Sequence, residues 1–394
     1  MVNQSPFKEE VPLIDNGLSE ELKTYLSNKF KSNKTILSFE NEKGIEYWED
    51  LAKKITEDKL LFNELKKCYP QLNFPIELGI EEKQEYKDVV LKGKTENIKL
   101  PSVLRLNDPK NITLKIGEII AGKIPILTVP DQEDFIKILQ CLIYKNNPKP
   151  VPQSMGAVLI NGLNNWQKIA NLKSDWLASH TLDKWSKEFY LNVSPNYSLY
   201  KDKLIIISTK PYSNVSAKQL GLNESLWLSY SLSIREKHEC THLYTLKKFG
   251  IASNNLHDEL IADYIGIVKT IGKYNKSWMF MFMGLENYPK YRQGARLENY
   301  VSDDKLSKDD FIKLVEIVKM AIENISIFDE SAGKLQSNID QMCRIDALVK
   351  QVWKNYHLQM ELLYLLIIII KGCKRELNFE VYYCIFLLFC PSLK

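Results

Sequence analysis

One short segment of this 394-residue chain restricts its fold more than any other: His238, Glu239 and His242 occur in the order H-E-x-x-H. Apolar residues in ESLWLSYSLSI, just ahead of it, recur at helical spacing, and Gly250 stands where a helix typically ends. We therefore expect the motif inside one helix, with both histidines on the same face, one turn apart. Two imidazoles in that arrangement can reach a single metal ion, and neutral nitrogen ligands suit zinc.

A third metal ligand is expected on the helix that follows. Glu259 and Asp263 are four residues apart in HDELIADYIG, so they share one helical face. If this helix packs antiparallel to the first, Glu259 can reach the metal, and Asp263 can accept a hydrogen bond from the second ring N–H of a ligand histidine. His257 is the alternative third ligand, which would make a three-histidine site, and it could instead cap the helix or reach the substrate.

H-E-x-x-H followed at short range by E-x-x-x-D resembles the gluzincin type of zinc metallopeptidase, whose best-known fold is the thermolysin-like one. The resemblance covers about residues 234–266. It implies three zinc ligands, one general base and one residue that orients a ligand histidine. By this resemblance the zinc ligands would be His238, His242 and Glu259, the general base would be Glu239, and the residue that orients a histidine would be Asp263.

Residues that would contact the substrate or the transition state are less well defined. Gluzincins usually carry a His or Tyr that stabilises the oxyanion, and no motif here identifies one. Arg235 lies one turn before Glu239 and either forms an ion pair within the helix or holds a substrate carboxylate. The segment ENYPKYRQGARLENY supplies further candidates of suitable chemistry, namely Tyr288, Tyr291, Arg292, Arg296 and Tyr300.

The metzincin type of zinc peptidase is excluded by spacing. Its third histidine would fall six residues after the second, and that position holds Lys248.

The pattern of apolar residues predicts an α+β fold. Helical spacing dominates residues 20–68, and β-branched runs bounded by Asn, Gly and Pro predict strands in ITLKIGEII, IPILTV, MGAVLI and LIIIS. Helical patterns return after Gly221. With the resemblance, this suggests a helical N-terminal region at 1–100, a zincin-like domain at 101–356 with a small sheet packed on the motif helix, and an apolar C-terminal tail at 357–394.

The strand at Leu204–Ser208 has two interpretations. As an edge strand it would bind extended substrate through main-chain hydrogen bonds, a mode known as β-augmentation. Its unbroken apolar run instead favours an internal strand that is buried on both faces.

Composition sets the remaining expectations. A formal charge of +4 gives no support for a nucleic-acid partner, and no phosphate-binding glycine loop is present. The polar N-terminus lacks a secretory signal, and seven cysteines without a CxxC pair argue against a disulfide framework, so we expect a cytoplasmic protein. The apolar tail is a final core element, an artefact of the gene model or, less in keeping with its Lys and Arg residues, a membrane anchor.

The sequence therefore predicts a Zn²⁺-dependent hydrolase that cleaves a peptide or protein substrate, with Glu239 as its base. The alternative is a non-catalytic module that uses the metal site as a scaffold for a protein partner.

Overall fold

The computed structural model describes residues 17–30, 39–55, 60–94, 103–250, 256–301 and 306–350. These residues belong to two compact units. We call residues 32–253 the central unit, and residues 1–31 together with 254–394 the terminal unit. The predicted domain boundaries at residues 100 and 356 stay predictions, and the apolar tail lies outside the described residues.

The central unit contains a mixed four-stranded sheet and eight α-helices in the part of the chain that the structure describes. The strands are β1 (Thr113–Ile119), β2 (Gly122–Val129), β3 (Ala157–Asn164) and β4 (Lys201–Ser208). The helices are α2 (Ile45–Lys54), α3 (Leu61–Cys68), α4 (Gln84–Tyr86), α5 (Gln132–Leu142), α6 (Trp166–Leu177), α7 (Trp185–Glu188), α8 (Ala217–Leu220) and α9 (Glu224–Phe249).

In its described residues, the terminal unit has helices and connecting turns but no strand. Its helices are α1 (Glu20–Tyr25), α10 (Leu256–Ile271), α11 (Lys276–Met283), α12 (Lys308–Ala332) and α13 (Asn338–Lys350). The predicted α+β class, with helical segments before and after the sheet, is therefore confirmed. Across the described residues, no helix is both long enough and apolar enough to cross a membrane. The four described cysteines, Cys68, Cys141, Cys240 and Cys343, are all free thiols.

The sheet has the strand order β1-β2-β4-β3. β1 and β2 form an antiparallel hairpin, β2 and β4 are parallel, and β3 runs antiparallel to β4. Because β4 pairs on both sides, it is internal, and the edge role considered for Leu204–Ser208 is wrong. Within the described sheet, β3 is the edge strand beside it.

Residues of β4 are buried on both faces of the sheet. Leu204 and Ile206 of β4 belong to a core cluster that includes Trp48 of α2 and Phe135 of α5. Alternate residues of a strand point to opposite faces, and Ile205 is also fully buried. Helix α9 packs against β3 and β4, so the motif helix lies directly on the sheet.

A buried carboxylate ties the helices of the central unit to the sheet. Asp202 of β4 is 2.7 Å from the Lys168 ammonium and accepts hydrogen bonds from Trp48 Nε1 at 3.1 Å, Tyr69 Oη at 2.6 Å and Asn165 Nδ2 at 2.8 Å. A buried charge is tolerated only when it is paired and hydrogen-bonded in this way.

We expect Asp202→Asn to lower the free energy of unfolding by about 3 kcal/mol, because the buried Lys168 ammonium loses its counter-ion. Denaturant titration measures the change. The exposed pair of Asp50 and Lys53, 3.7 Å apart, gives the control Asp50→Asn, whose expected effect is within about 0.5 kcal/mol. Equal effects of the two substitutions would contradict a stabilising role for the Asp202 cluster.

Candidate metal centre

The motif lies in the second half of α9, a 26-residue helix. Asn223 caps its first turn by accepting hydrogen bonds from the backbone N–H groups of Ser225 and Leu226. Gly250 ends it in the left-handed conformation, with φ 73°, which glycine adopts without a steric penalty. The expectation that the motif lies inside one helix ending at Gly250 is therefore confirmed.

The two motif histidines point their ring nitrogens at each other. His238 Nε2 and His242 Nε2 are 2.9 Å apart, and their ring centroids are 4.5 Å apart. Both side chains are buried, with 6% and 2% of their surface exposed. Two nitrogens bound to one tetrahedral zinc at 2.0–2.1 Å would be separated by about 3.3 Å. The pair is thus close to the geometry of two ligands on one ion.

Glu259 completes a group of three potential ligands. One ligand atom from each of His238, His242 and Glu259 lies within 4.8 Å of the other two, and all three residues are buried. No other such group of three occurs among residues whose placement is described. Two neutral imidazoles and one carboxylate form a donor set that suits zinc, and three protein ligands leave a coordination position open.

Glu239, the predicted base, is on α9 between the two histidines in sequence, and 6% of its surface is exposed. Its neighbour Cys240 is also buried, and burial raises the pKa of the Cys240 thiol to about 12. Cys240 is therefore protonated near neutral pH and is a poor nucleophile.

Two residues that the sequence offered as substrate contacts lie against Glu259. Tyr300 Oη donates a hydrogen bond to Glu259 Oε2 at 2.9 Å. Arg296 is buried, forms an ion pair with Asp263, and lies 3.8 Å from the same Glu259 oxygen. Tyr300 and Arg296 thereby restrict the orientation of the Glu259 carboxylate. That Asp263 orients a histidine stays a prediction.

Tyr300→Phe should weaken metal binding about tenfold, because an unrestrained carboxylate is a less well-oriented ligand. Competition with a chromophoric chelator measures the dissociation constant. Tyr291→Phe is the matched control, since Tyr291 Oη donates to the Ala295 carbonyl at 3.1 Å and does not contact the ligand. Equal affinities of the two variants would contradict the orienting role.

The other residues that the sequence offered for the site do not belong to the group of three potential ligands. His257 is buried outside the ligand group. Its Nε2 is 2.8 Å from the Leu348 carbonyl oxygen, and Phe30 packs edge-on at 5.3 Å between centroids. Burial lowers the pKa of His257, and the hydrogen bond to Leu348 only partly offsets this effect.

Tyr288, Tyr291 and Arg292 contact residues of the terminal unit. Tyr288 is 41% exposed, with the Lys319 ammonium 5.7 Å from its ring centroid. Arg292 pairs with Glu286 at 2.6 Å. The structure therefore does not single out any of the three as an oxyanion-stabilising residue.

Arg235 contacts the backbone of the segment after β4. Its guanidinium donates to the carbonyls of Ser208 at 3.2 Å and Pro211 at 2.8 Å, and also to that of Lys210. Only 1% of its surface is exposed. These contacts give Arg235 a structural place beside the site. The same segment brings Tyr212, which no sequence motif identified, within 3.0 Å of His238 Nδ1.

Comparison with known proteins gives one match. Residues 13–356 match the model of a family described as a family of unknown function (DUF7005). Neither the curated proteins nor the solved structures contain a match.

Proposed function

Because the chain belongs to the DUF7005 family, whose function is unknown, its activity must be inferred from its own side chains, and we propose that it is a zinc-dependent hydrolase of the metallopeptidase type. The observation that carries the proposal is the buried group of His238, His242 and Glu259, with the buried Glu239 next to His238 in the same helix. The motif helix and the order of its residues agree with the gluzincin resemblance.

The proposed ligands fit zinc in chemistry and in burial. His238 and His242 offer imidazole nitrogens that converge, with their Nε2 atoms 2.9 Å apart, and Glu259 offers a carboxylate. A bound zinc ion would supply Lewis acidity, which polarises a carbonyl and lowers the pKa of coordinated water.

Glu239 would perform the proton transfers. As a carboxylate it accepts a proton from the attacking water, and it then returns that proton to the leaving amine. Its burial on the ligand helix keeps bulk water from competing for the same proton. His238 and His242 would contribute by holding the ion.

The sheet supports a peptide as the substrate. We propose a zincin-like core in which β3, rather than β4, binds an extended chain by β-augmentation. β3 pairs with β4 on one side only among the described strands, and residues 157–164 are half-buried or exposed along their length. The motif helix packs on β3 and β4, which supports a peptide path along β3 beside that helix.

The test is hydrolysis of a mixture of quenched fluorescent peptides by the purified full chain. We expect cleavage that a zinc chelator stops and that added Zn²⁺ restores while Mg²⁺ does not. Cleavage that persists in the chelator, or no cleavage by zinc-loaded protein, would overturn the peptidase assignment. A cytoplasmic location stays a prediction from the cysteine pattern.

A further inference from the structure

The turn between β4 and α8 brings the side chain of Tyr212 next to the Nδ1 atom of His238, a proposed metal ligand. Tyr212 begins a short 3₁₀ turn that extends to Asn214. Its hydroxyl is 3.0 Å from His238 Nδ1, the nitrogen opposite the one that faces His242. Tyr212 is 5% exposed, so its hydroxyl meets the ring in a buried environment.

Two residues of helix α9 hold Tyr212 in place. Ser231 Oγ accepts the Tyr212 backbone N–H at 2.9 Å, and the Arg235 guanidinium carbon lies 5.6 Å from the centroid of the Tyr212 ring. Ser231, Arg235 and His238 are separated by four and three residues, so they line one face of the helix. One helical face therefore holds the ligand and both anchors of the residue that contacts it.

The Arg235 guanidinium fixes the course of the chain that leads to Tyr212. It donates to the carbonyls of Ser208, Lys210 and Pro211, which are successive points along that chain. A planar guanidinium can hold several carbonyls in one geometry, which a lysine ammonium cannot do equally well.

Arg235 and the turn that contains Tyr212 are tightly packed. A Cβ on Gly156 would lie 2.4 Å from Arg235 Nε, so the guanidinium packs directly on the Gly156 backbone. Ser213 and Asn214 have φ values of 50° and 57°, in the left-handed region that non-glycine residues rarely adopt. Such a backbone persists when surrounding contacts determine it, and here those contacts position Tyr212.

We propose that Tyr212, mounted by Arg235, is a positioning residue that sets the tautomer and the orientation of the His238 ring, an inference that rests on the proposed zinc site. His238 Nδ1–H donates to Tyr212 Oη, and the lone pair of Nε2 is then directed to the metal. Hydrogen bonds to the second nitrogen of a ligand histidine act in this way in metal sites generally.

The test compares Tyr212→Phe with the wild type and with Tyr200→Phe, all as the full chain. Tyr200 is a buried tyrosine of the same unit whose hydroxyl donates to the Ser194 carbonyl at 3.1 Å. We expect Tyr212→Phe to raise the zinc dissociation constant about 10- to 100-fold, while Tyr200→Phe binds as the wild type does. Arg235→Lys should shift the constant in the same direction as Tyr212→Phe.

A spectroscopic readout separates positioning from general destabilisation. In ¹⁵N-histidine spectra of the zinc-loaded protein, we expect a protonated Nδ1 resonance that is assigned to His238 by correlation with its backbone resonances and that shifts in Tyr212→Phe. Unchanged zinc affinity and an unchanged resonance in Tyr212→Phe would overturn the positioning role alone. A wild-type chain that binds no zinc would overturn the proposed function and this inference with it.

Discussion

Glu239→Gln should reduce peptide hydrolysis by about 10³-fold, within the range for removal of a general base, and should leave the zinc content unchanged. Gln has nearly the shape of Glu, so it fits the buried position on α9, but an amide cannot accept the proton of the attacking water. The measurement is the initial rate of hydrolysis beside the zinc content of the same sample.

Glu236→Gln is the matched control for this result. Glu236 is on the same helix, three residues earlier, and its carboxylate pairs with Lys237 at 2.8 Å and with Lys115. Its substitution should leave hydrolysis intact, because neither lysine belongs to the proposed site. Undiminished hydrolysis by Glu239→Gln would contradict the mechanism, whereas a partner-binding function intact in that variant would favour the non-catalytic module.

Glu259→Ala should weaken zinc binding by about 10³-fold or more, because the site loses a direct ligand and its negative charge. Since zinc stabilises only the state that binds it, the rise in melting temperature that zinc gives the wild type should disappear in this variant. Isothermal titration and thermal melting, with and without zinc, measure the two effects.

The control variant distinguishes between Glu259 and His257, the two residues that the sequence offered as the third ligand. His257→Gln removes the rival imidazole, which in the structure contacts the Leu348 carbonyl and lies outside the ligand group. We expect this variant to bind zinc as the wild type does, even if its melting temperature falls. The reverse pattern, with zinc lost in His257→Gln and kept in Glu259→Ala, would assign the third ligand to His257.

Local chemistry made much of the fold predictable. The all-apolar run in β4 indicated an internal strand, and β4 is indeed paired on both sides. Asp131 is a residue type that typically caps helices, and its side chain accepts the Asp134 N–H at the start of α5 at 2.9 Å. Helix α6 was not predicted, although Trp166 and Ile169 begin an apolar stripe at helical spacing. Strand order was beyond reach because pairing depends on contacts distant in sequence.

The residues of the proposed site were likewise predictable only where one helix fixes their spacing, and not where tertiary packing brings them together. The two histidines and Glu239 were recognisable because one helix fixes their spacing. Tyr212 could not be recognised, because it is 26 residues from His238 and only the packing of its turn on α9 brings them together. Arg296 and Tyr300 were selected by composition, but their contacts with Asp263 and Glu259 required the structure.

The presence of zinc is the central claim, and elemental analysis of the full chain tests it most directly. The protein is purified without chelator, incubated with Zn²⁺ and dialysed extensively, and its metal content is measured by mass spectrometry. The group of His238, His242 and Glu259 predicts one zinc per chain. A chain that retains no zinc above the buffer background after this treatment would contradict the account.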